Sequence, residues 1–209
     1  MAFTLEMAHS ALEKLAKSIE DGKEHLSDLD SEVGDADHGI NMNRGMKRTA
    51  EKIRGKNYAD LGSLYRDVAM TLMGAVGGSA GPLYGTFFMK LAQELSGKRE
   101  VPLAAFACAM REGLDGVMRL GKAAPGDKTM VDTLAPAIEA LLNCAEQGDG
   151  IAWNMAVLSA EQGMKGTASM TARRGRSSYA GERSLGRQDA GATSSFYLIV
   201  SFRDASLEG

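Results

Sequence analysis

Apolar residues recur along the chain at alternating steps of three and four. Leu5, Ala8, Leu12, Leu15, Ile19 and Leu26 fall on one stripe of a helix, and Glu6, Glu13, Lys17 and Glu20 lie off it. The same spacing returns at Leu61, Leu64, Tyr65, Val68, Leu72 and Val76, at Leu103, Phe106, Met110, Leu114 and Val117, and at Leu134, Ile138, Leu141 and Leu142. Each run predicts an amphipathic helix with one buried face. Glycine-rich breaks separate them at 77–82, 121–129 and 146–150, and a longer arginine- and glycine-rich piece runs from Arg173 to Gly191. Only SSFYLIVSF, at 194–202, has strand composition. With no second strand-like run to pair with, it is predicted as a buried helix. The pattern therefore predicts an all-α protein, a bundle or barrel whose apolar stripes face inward, with the 13 methionines as adaptable core filler.

Composition narrows this picture. A chain of 209 residues with 44% apolar side chains can bury one sizeable core, and no composition break divides it, so one domain over 1–209 is expected. The net charge of -3 gives no reason to expect nucleic acid or an anionic membrane as partner. Cys108 and Cys144 sit in helical contexts without metal-ligand spacing and read as packed, reduced thiols. The first residues lack the apolar run of a signal peptide, and no stretch approaches roughly 20 uninterrupted apolar residues. A soluble cytoplasmic protein is expected.

Candidate chemistry concentrates in four loops. Asp28, Asp30, Glu32, Asp35 and Asp37 fall within ten residues with no basic residue among them, followed by His38 and Asn41. Gly34 lets a tight turn aim Asp30, Asp35 and Asp37 at one point, as an oxygen site for magnesium requires. An exposed acidic turn with helix N-capping fits the same residues. An EF-hand does not, because it would need glycine at Val33 and glutamate at Gly39. The second loop, GKAAPGDKT, misses a P-loop: Asp127 intervenes between Gly126 and Lys128, and a helix precedes it. In the third, GGSAGPLYGTFF, small residues open a helix, which suits either close helix packing or an anion at the helix N-terminus. The fourth carries Arg173, Arg174, Arg176, Arg183 and Arg187 with one glutamate, Glu182, so it is strongly positive. It reads either as a solvated connector or as the phosphate side of a site whose metal side is the acidic loop.

Together GDADHGINMNRG, GGSAGPLYGTFF, GKAAPGDKTMVDTLAPA and GRSSYAGERSLGRQDAGATS resemble, in the family's order, the nucleotide-binding L subunits of bacterial dihydroxyacetone kinases. The resemblance covers essentially the whole chain. It implies a barrel of about eight antiparallel amphipathic helices with the nucleotide site in loops at one end. It implies Asp30, Asp35 and Asp37 as ligands of two Mg²⁺ ions, and His38 and Asn41 at the phosphates of ADP or ATP. Ser79 and Ala80 would line the nucleotide site, Gly121 and Met130 would border the adenine, and Arg176, Asp189 and Gly191 would close over it as a cap. It implies phosphoryl transfer to a small hydroxyketone, dihydroxyacetone or a four-carbon relative, held on a separate K subunit. In one branch of the family ATP exchanges. In the other, ADP stays bound and a phosphotransferase-system M subunit rephosphorylates it. A homodimer is compatible with the family, and a non-catalytic nucleotide-sensing regulator is the alternative reading. Ala190 stands where the family commonly has proline, which should leave the cap turn less rigid.

Overall fold

The computed structural model describes residues 2–31 and 33–208. Glu32, the fifth acidic residue of the first loop, lies outside the described residues. Eight α-helices dominate them: α1 (Leu5–Ser31), α2 (His38–Ile53), α3 (Leu61–Ala75), α4 (Ala80–Glu94), α5 (Leu103–Gly121), α6 (Val131–Cys144), α7 (Asp149–Gly166) and α8 (Ala190–Glu208). The all-α expectation is met, and the SSFYLIVSF stretch is helical. Among the described residues no helix is long and apolar enough to cross a membrane.

Each helix packs on its neighbours in the chain, and α8 returns to pack on α1, so the contacts close into a ring. The periodic residues do what their spacing implies: Leu12, Leu15, Ile19, Leu64, Val68, Leu72, Phe106, Met110, Leu134 and Ile138 are all buried in one continuous core. Packing between chain neighbours, through connections that are short except for the one between α7 and α8, makes successive helices antiparallel. Connections leaving odd-numbered helices therefore gather at one end of the ring, and those leaving even-numbered helices at the other.

That second end is tied by a feature the sequence pattern did not offer. β1 (Ala2–Thr4) pairs antiparallel with β2 (Glu100–Pro102), Phe3 opposite Val101. Three residues are too few for an alternating pattern to stand out. Pro102 is tolerated because it ends its strand and precedes α5. The ribbon delivers Phe3 onto Phe106 with ring centroids 3.8 Å apart, and Phe106 meets Phe202 at 5.3 Å. Trp153 stacks on Phe202 at 6.4 Å, so an aromatic cluster closes the end of the ring remote from the other set of loops. Asp60 caps α3 in a reciprocal box, its carboxylate accepting the Ser63 N–H at 2.6 Å while Ser63 Oγ accepts the Asp60 N–H.

Helices α6 and α7 approach closely where a proline frees a carbonyl. Pro136 has no N–H to offer the carbonyl of Asp132, and Gly163 of α7 lies against that oxygen. A Cβ at Gly163 would sit 2.0 Å from it, so only glycine allows this approach.

Truncating the aromatic cluster by Trp153→Ala should cost about 3–5 kcal/mol of stability in urea unfolding. Tyr65→Phe is the control. The Tyr65 hydroxyl is fully buried and has no hydrogen-bond partner among the described residues, so its removal should be neutral to within about 0.5 kcal/mol, or stabilising.

Candidate functional site

All four connections that leave odd-numbered helices meet around one cavity of about 210 Å³. The residues that start the even-numbered helices face it, so the N-termini of α2, α4, α6 and α8 converge there. Their dipoles, and first-turn N–H groups that have no carbonyl of their own helix to pair with, make this rim electropositive at the level of the backbone. Every residue singled out by the resemblance lines this cavity: Asp30, Asp35, Asp37, His38, Asn41, Ser79, Ala80, Gly121, Met130, Arg176, Asp189 and Gly191.

The acidic turn between α1 and α2 brings one carboxylate oxygen from each of Asp30, Asp35 and Asp37 within 4.8 Å of one another. Two backbone features allow it. Ala36 adopts a left-handed φ of 59°, which costs roughly 1–2 kcal/mol for a residue with a Cβ. A Cβ at Gly34 would lie 2.0 Å from Asp30 Oδ1, so the turn can only fold back over that carboxylate as glycine. Asp30 Oδ2 accepts the N–H groups of Asp37 at 3.1 Å and His38 at 3.4 Å. Asp37 stands at the N-cap of α2 yet makes no side-chain capping bond. Capping thus accounts for Asp30 in part and for Asp37 not at all. Three hard carboxylate oxygens at this separation are a donor set that suits magnesium.

On the next wall, Ser79 occupies the N-cap of α4 without a side-chain capping bond. Asn41 is held by Arg44, whose Nη2 donates to Asn41 Oδ1 at 2.9 Å while its Nε donates to the Ala75 carbonyl at 2.9 Å. Beyond Ser79 and Ala80 the cavity becomes apolar, between Leu83, Val117, Gly121, Ala123, Met130 and Val131. Leu83 and Val117 escaped the sequence reading because an apolar residue on a helix stripe looks the same whether it faces the core or a slot.

The fourth wall is the α7–α8 connection, much of it a 3-10 stretch from Arg176 to Ser184. Arg176 forms an ion pair with Asp35 across the cavity, and Arg174 Nε donates to Asp127 Oδ2 at 3.2 Å. Arg174 and Ser177 join the lining, as does Lys128, which the failed P-loop spacing had left without a role. Lys128 does not reach out as a P-loop lysine does. Its ammonium is buried and donates to three carbonyls.

Beneath the site a polar chain links three helices. His38 Nε2 lies 2.9 Å from Ser194 Oγ, and the Tyr84 hydroxyl lies 2.8 Å from Ser194 Oγ and 2.9 Å from Ser195 Oγ. Burial holds His38 below the usual histidine range against the opposing pull of Asp30 and Asp37, so it is neutral at pH 7. Burial pushes the Tyr84 hydroxyl up to about 12. Asp189 caps α8, its Oδ2 accepting the Ala192 N–H at 2.7 Å. Burial raises its carboxyl to about 6, against the lowering effects of the Ala192 N–H and Lys128. Ala190 is the first residue of α8, the helix position at which proline is favoured.

Fold and site together define an all-α protein whose helices close into a ring and whose charged cavity lies at one rim. The chain belongs to the DAK2 domain family, whose model matches residues 32–204. It is 44% identical over 187 residues, 88% of this chain and 89% of the relative, to the PEP-dependent dihydroxyacetone kinase, ADP-binding subunit DhaL, of Escherichia coli K12. It is 35% identical to the PTS-dependent dihydroxyacetone kinase, ADP-binding subunit DhaL, of Lactococcus lactis, over 94% of this chain and 95% of that one. Its fold matches the crystal structure of the dihydroxyacetone kinase from C. freundii in complex with AMP-PNP and Mg²⁺, with a TM-score of 0.76 at 23% identity. That alignment covers 98% of this chain and 34% of the kinase, so the chain spans about a third of that protein's length.

The raised Asp189 carboxyl makes stability depend on pH with a defined sign. Between the unfolded value of 3.8 and the folded value of about 6, the folded state holds more proton than the unfolded one. Stability contributed by Asp189 therefore falls as pH rises through that window. Asp189→Asn keeps an acceptor for the Ala192 N–H and cannot ionise. Denaturant unfolding at pH 4, 5, 6 and 7 should show the stability difference moving in favour of the variant up to about pH 6 and level above it.

Proposed function

We propose that residues 1–209 act as one unit, the nucleotide- and magnesium-binding subunit of a kinase for small hydroxyketones. The observation that carries this reading is the opposition, across one cavity ringed by four helix N-termini, of the Asp30, Asp35 and Asp37 carboxylates to Arg176. A cluster of acids on one side, with guanidinium and backbone N–H groups on the others, suits a polyphosphate carried with its cations. In this reading Asp30, Asp35 and Asp37 hold two magnesium ions, and His38, Asn41, Ser79 and Ala80 lie along the phosphates and ribose. Gly121 and Met130 border the adenine in the apolar slot, and Arg176, Asp189 and Gly191 belong to the cap. Bound by these carboxylates, magnesium would neutralise the oxygens between which the phosphoryl group moves.

The chain's own part is positioning. The N-termini of α2 and α4 offer donors along an anionic ligand, and neutral His38 presents a donor or acceptor without adding charge. The Arg176–Asp35 pair would be exchanged on binding, releasing the guanidinium for phosphate and the carboxylate for metal. The acceptor hydroxyl comes from a ketose on a separate K subunit. The names of the E. coli and L. lactis relatives support the branch in which ADP stays bound and a phosphotransferase-system M subunit rephosphorylates it. Dihydroxyacetone is the acceptor those names support.

Asp37→Asn tests the metal side without disturbing the helix cap, since the Asp37 side chain makes no capping bond. Calorimetry with ADP should show at least about a tenfold loss of Mg²⁺-dependent affinity, or about 1.4 kcal/mol, with the helical circular dichroism retained. Wild-type binding by the variant would remove Asp37 from the metal set. Failure of the wild type to bind Mg·ADP would remove the function.

A further inference from the structure

Lys128 is a buried charge of the rim, 2% exposed, on a backbone of left-handed φ 61°. Its three ammonium protons go to the carbonyls of Thr167 at 2.8 Å, Ser184 at 2.7 Å and Arg187 at 2.6 Å. An ammonium has three protons, so none is left for a phosphate. Burial pulls the ammonium below the usual lysine range against the opposing charge of Asp189, and the three carbonyl dipoles offset part of that desolvation.

The positions of those three acceptors give the arrangement its meaning. Thr167 follows α7, Ser184 ends the 3-10 stretch, and Arg187 lies just before Asp189 and α8. One side chain thus draws both ends of the α7–α8 connection to one point. Smaller bonds reinforce the same base: Gly186 N–H donates to the Ala168 carbonyl at 2.8 Å, Asp189 N–H to Thr167 Oγ1 at 3.0 Å, and Arg173 N–H to the Asp127 carbonyl at 3.1 Å. What lies between Thr167 and Ser184 is carried as an excursion over the cavity, and it includes Arg174 and Arg176. Five arginines concentrate positive charge in this connection, and the Arg174–Asp127 and Arg176–Asp35 pairs offset only part of it, so a clamp at the base opposes its spreading.

We propose that Lys128 is a positioning residue that pins the α7–α8 connection as a cap, setting how long nucleotide stays bound through Arg174 and Arg176 without touching phosphate itself. The proposal rests on the nucleotide reading above for its ligand but not for its clamp. Arginine is a poor substitute, since a planar fork cannot direct three donors at three convergent carbonyls from one nitrogen.

The test compares wild type with Lys128→Met and Lys128→Arg. Release of a fluorescent ADP analogue, in Mg²⁺, should accelerate at least about tenfold in Lys128→Met while its association rate changes far less, as expected when contacts beyond the encounter are lost. Trypsin should cut within 173–187 faster than in wild type both with and without Mg·ADP, because local opening sets the cleavage rate. Lys128→Arg should fall between the two on both measures. A Lys128→Met protein with wild-type release and wild-type cleavage overturns the proposal. So does one with weakened binding but an unchanged apo cleavage pattern, the signature of a direct phosphate contact. A lowered melting temperature without a change in release overturns it as well. If Lys128→Met does not fold, the same two measurements on Lys128→Arg decide. If wild type binds no Mg·ADP, the nucleotide reading fails and the apo cleavage comparison alone still decides the clamp.

Discussion

Alternation of helix direction around a closed ring is the constraint on which the site depends. Once eight helices run up and down in sequence, all four connections leaving odd-numbered helices must share one rim, and the even-numbered helices must begin there. Four positive helix ends then face one small volume. No single one of them would specify a ligand, because a lone helix N-terminus is ordinary. Four of them around one cavity create a place where negative charge is welcome before any side chain is considered. The acidic turn gains from the same arrangement, since the α2 N-terminus that Asp30 contacts offsets part of the repulsion among its three carboxylates.

Carboxylates organise the rim as much as they supply ligands to it. Asp30 accepts two N–H groups at the start of α2. Asp132 accepts those of Gly126 at 2.5 Å and Thr129 at 2.7 Å, folding the α5–α6 loop over itself, and Asp189 accepts that of Ala192 at the start of α8. Each ties a loop to the helix beside it, so the loops are fixed parts of the frame. Asp35 and Asp37 differ: among the described residues Asp35 is engaged by Arg176, and Asp37 makes no capping bond. Acids that perform no structural task beside acids that do are the residues on which a function can be placed.

The sequence disclosed helices far better than it disclosed contacts between distant residues. Apolar periodicity marks α1, α3, α5 and α6 because a buried stripe must repeat with the helix turn, and the absence of a pairing partner correctly kept SSFYLIVSF helical. The β1–β2 ribbon was invisible because its pairing joins residues almost a hundred positions apart in segments of three. The four loops announced themselves through charge and glycine, which is why their residues do line one cavity. Lys128 was in view and its role was not: nothing local to GDKT reveals that its acceptors lie 39, 56 and 59 residues onward. Leu83 and Val117 were hidden for the opposite reason, since they obey the core pattern while bordering the cavity.

Ring closure has a kinetic meaning. Packing between successive helices is comparatively local in sequence and closes shorter loops, whereas the α8–α1 seam joins opposite ends of the fold and closes the longest one. The cavity straddles that seam, with Asp30 at the end of α1, Asp189 at the start of α8, and Ser194 of α8 bonded to His38 of α2. A chain with α1 to α7 assembled and the seam open would hold much of the core but lack a complete cavity. Competence to bind therefore depends on the join with the longest sequence separation in the ring, the one that carries the greatest loop-closure cost. Any ligand that bridges the seam holds the ring shut as a clasp holds a bracelet, adding its binding free energy to a join that is already made without it.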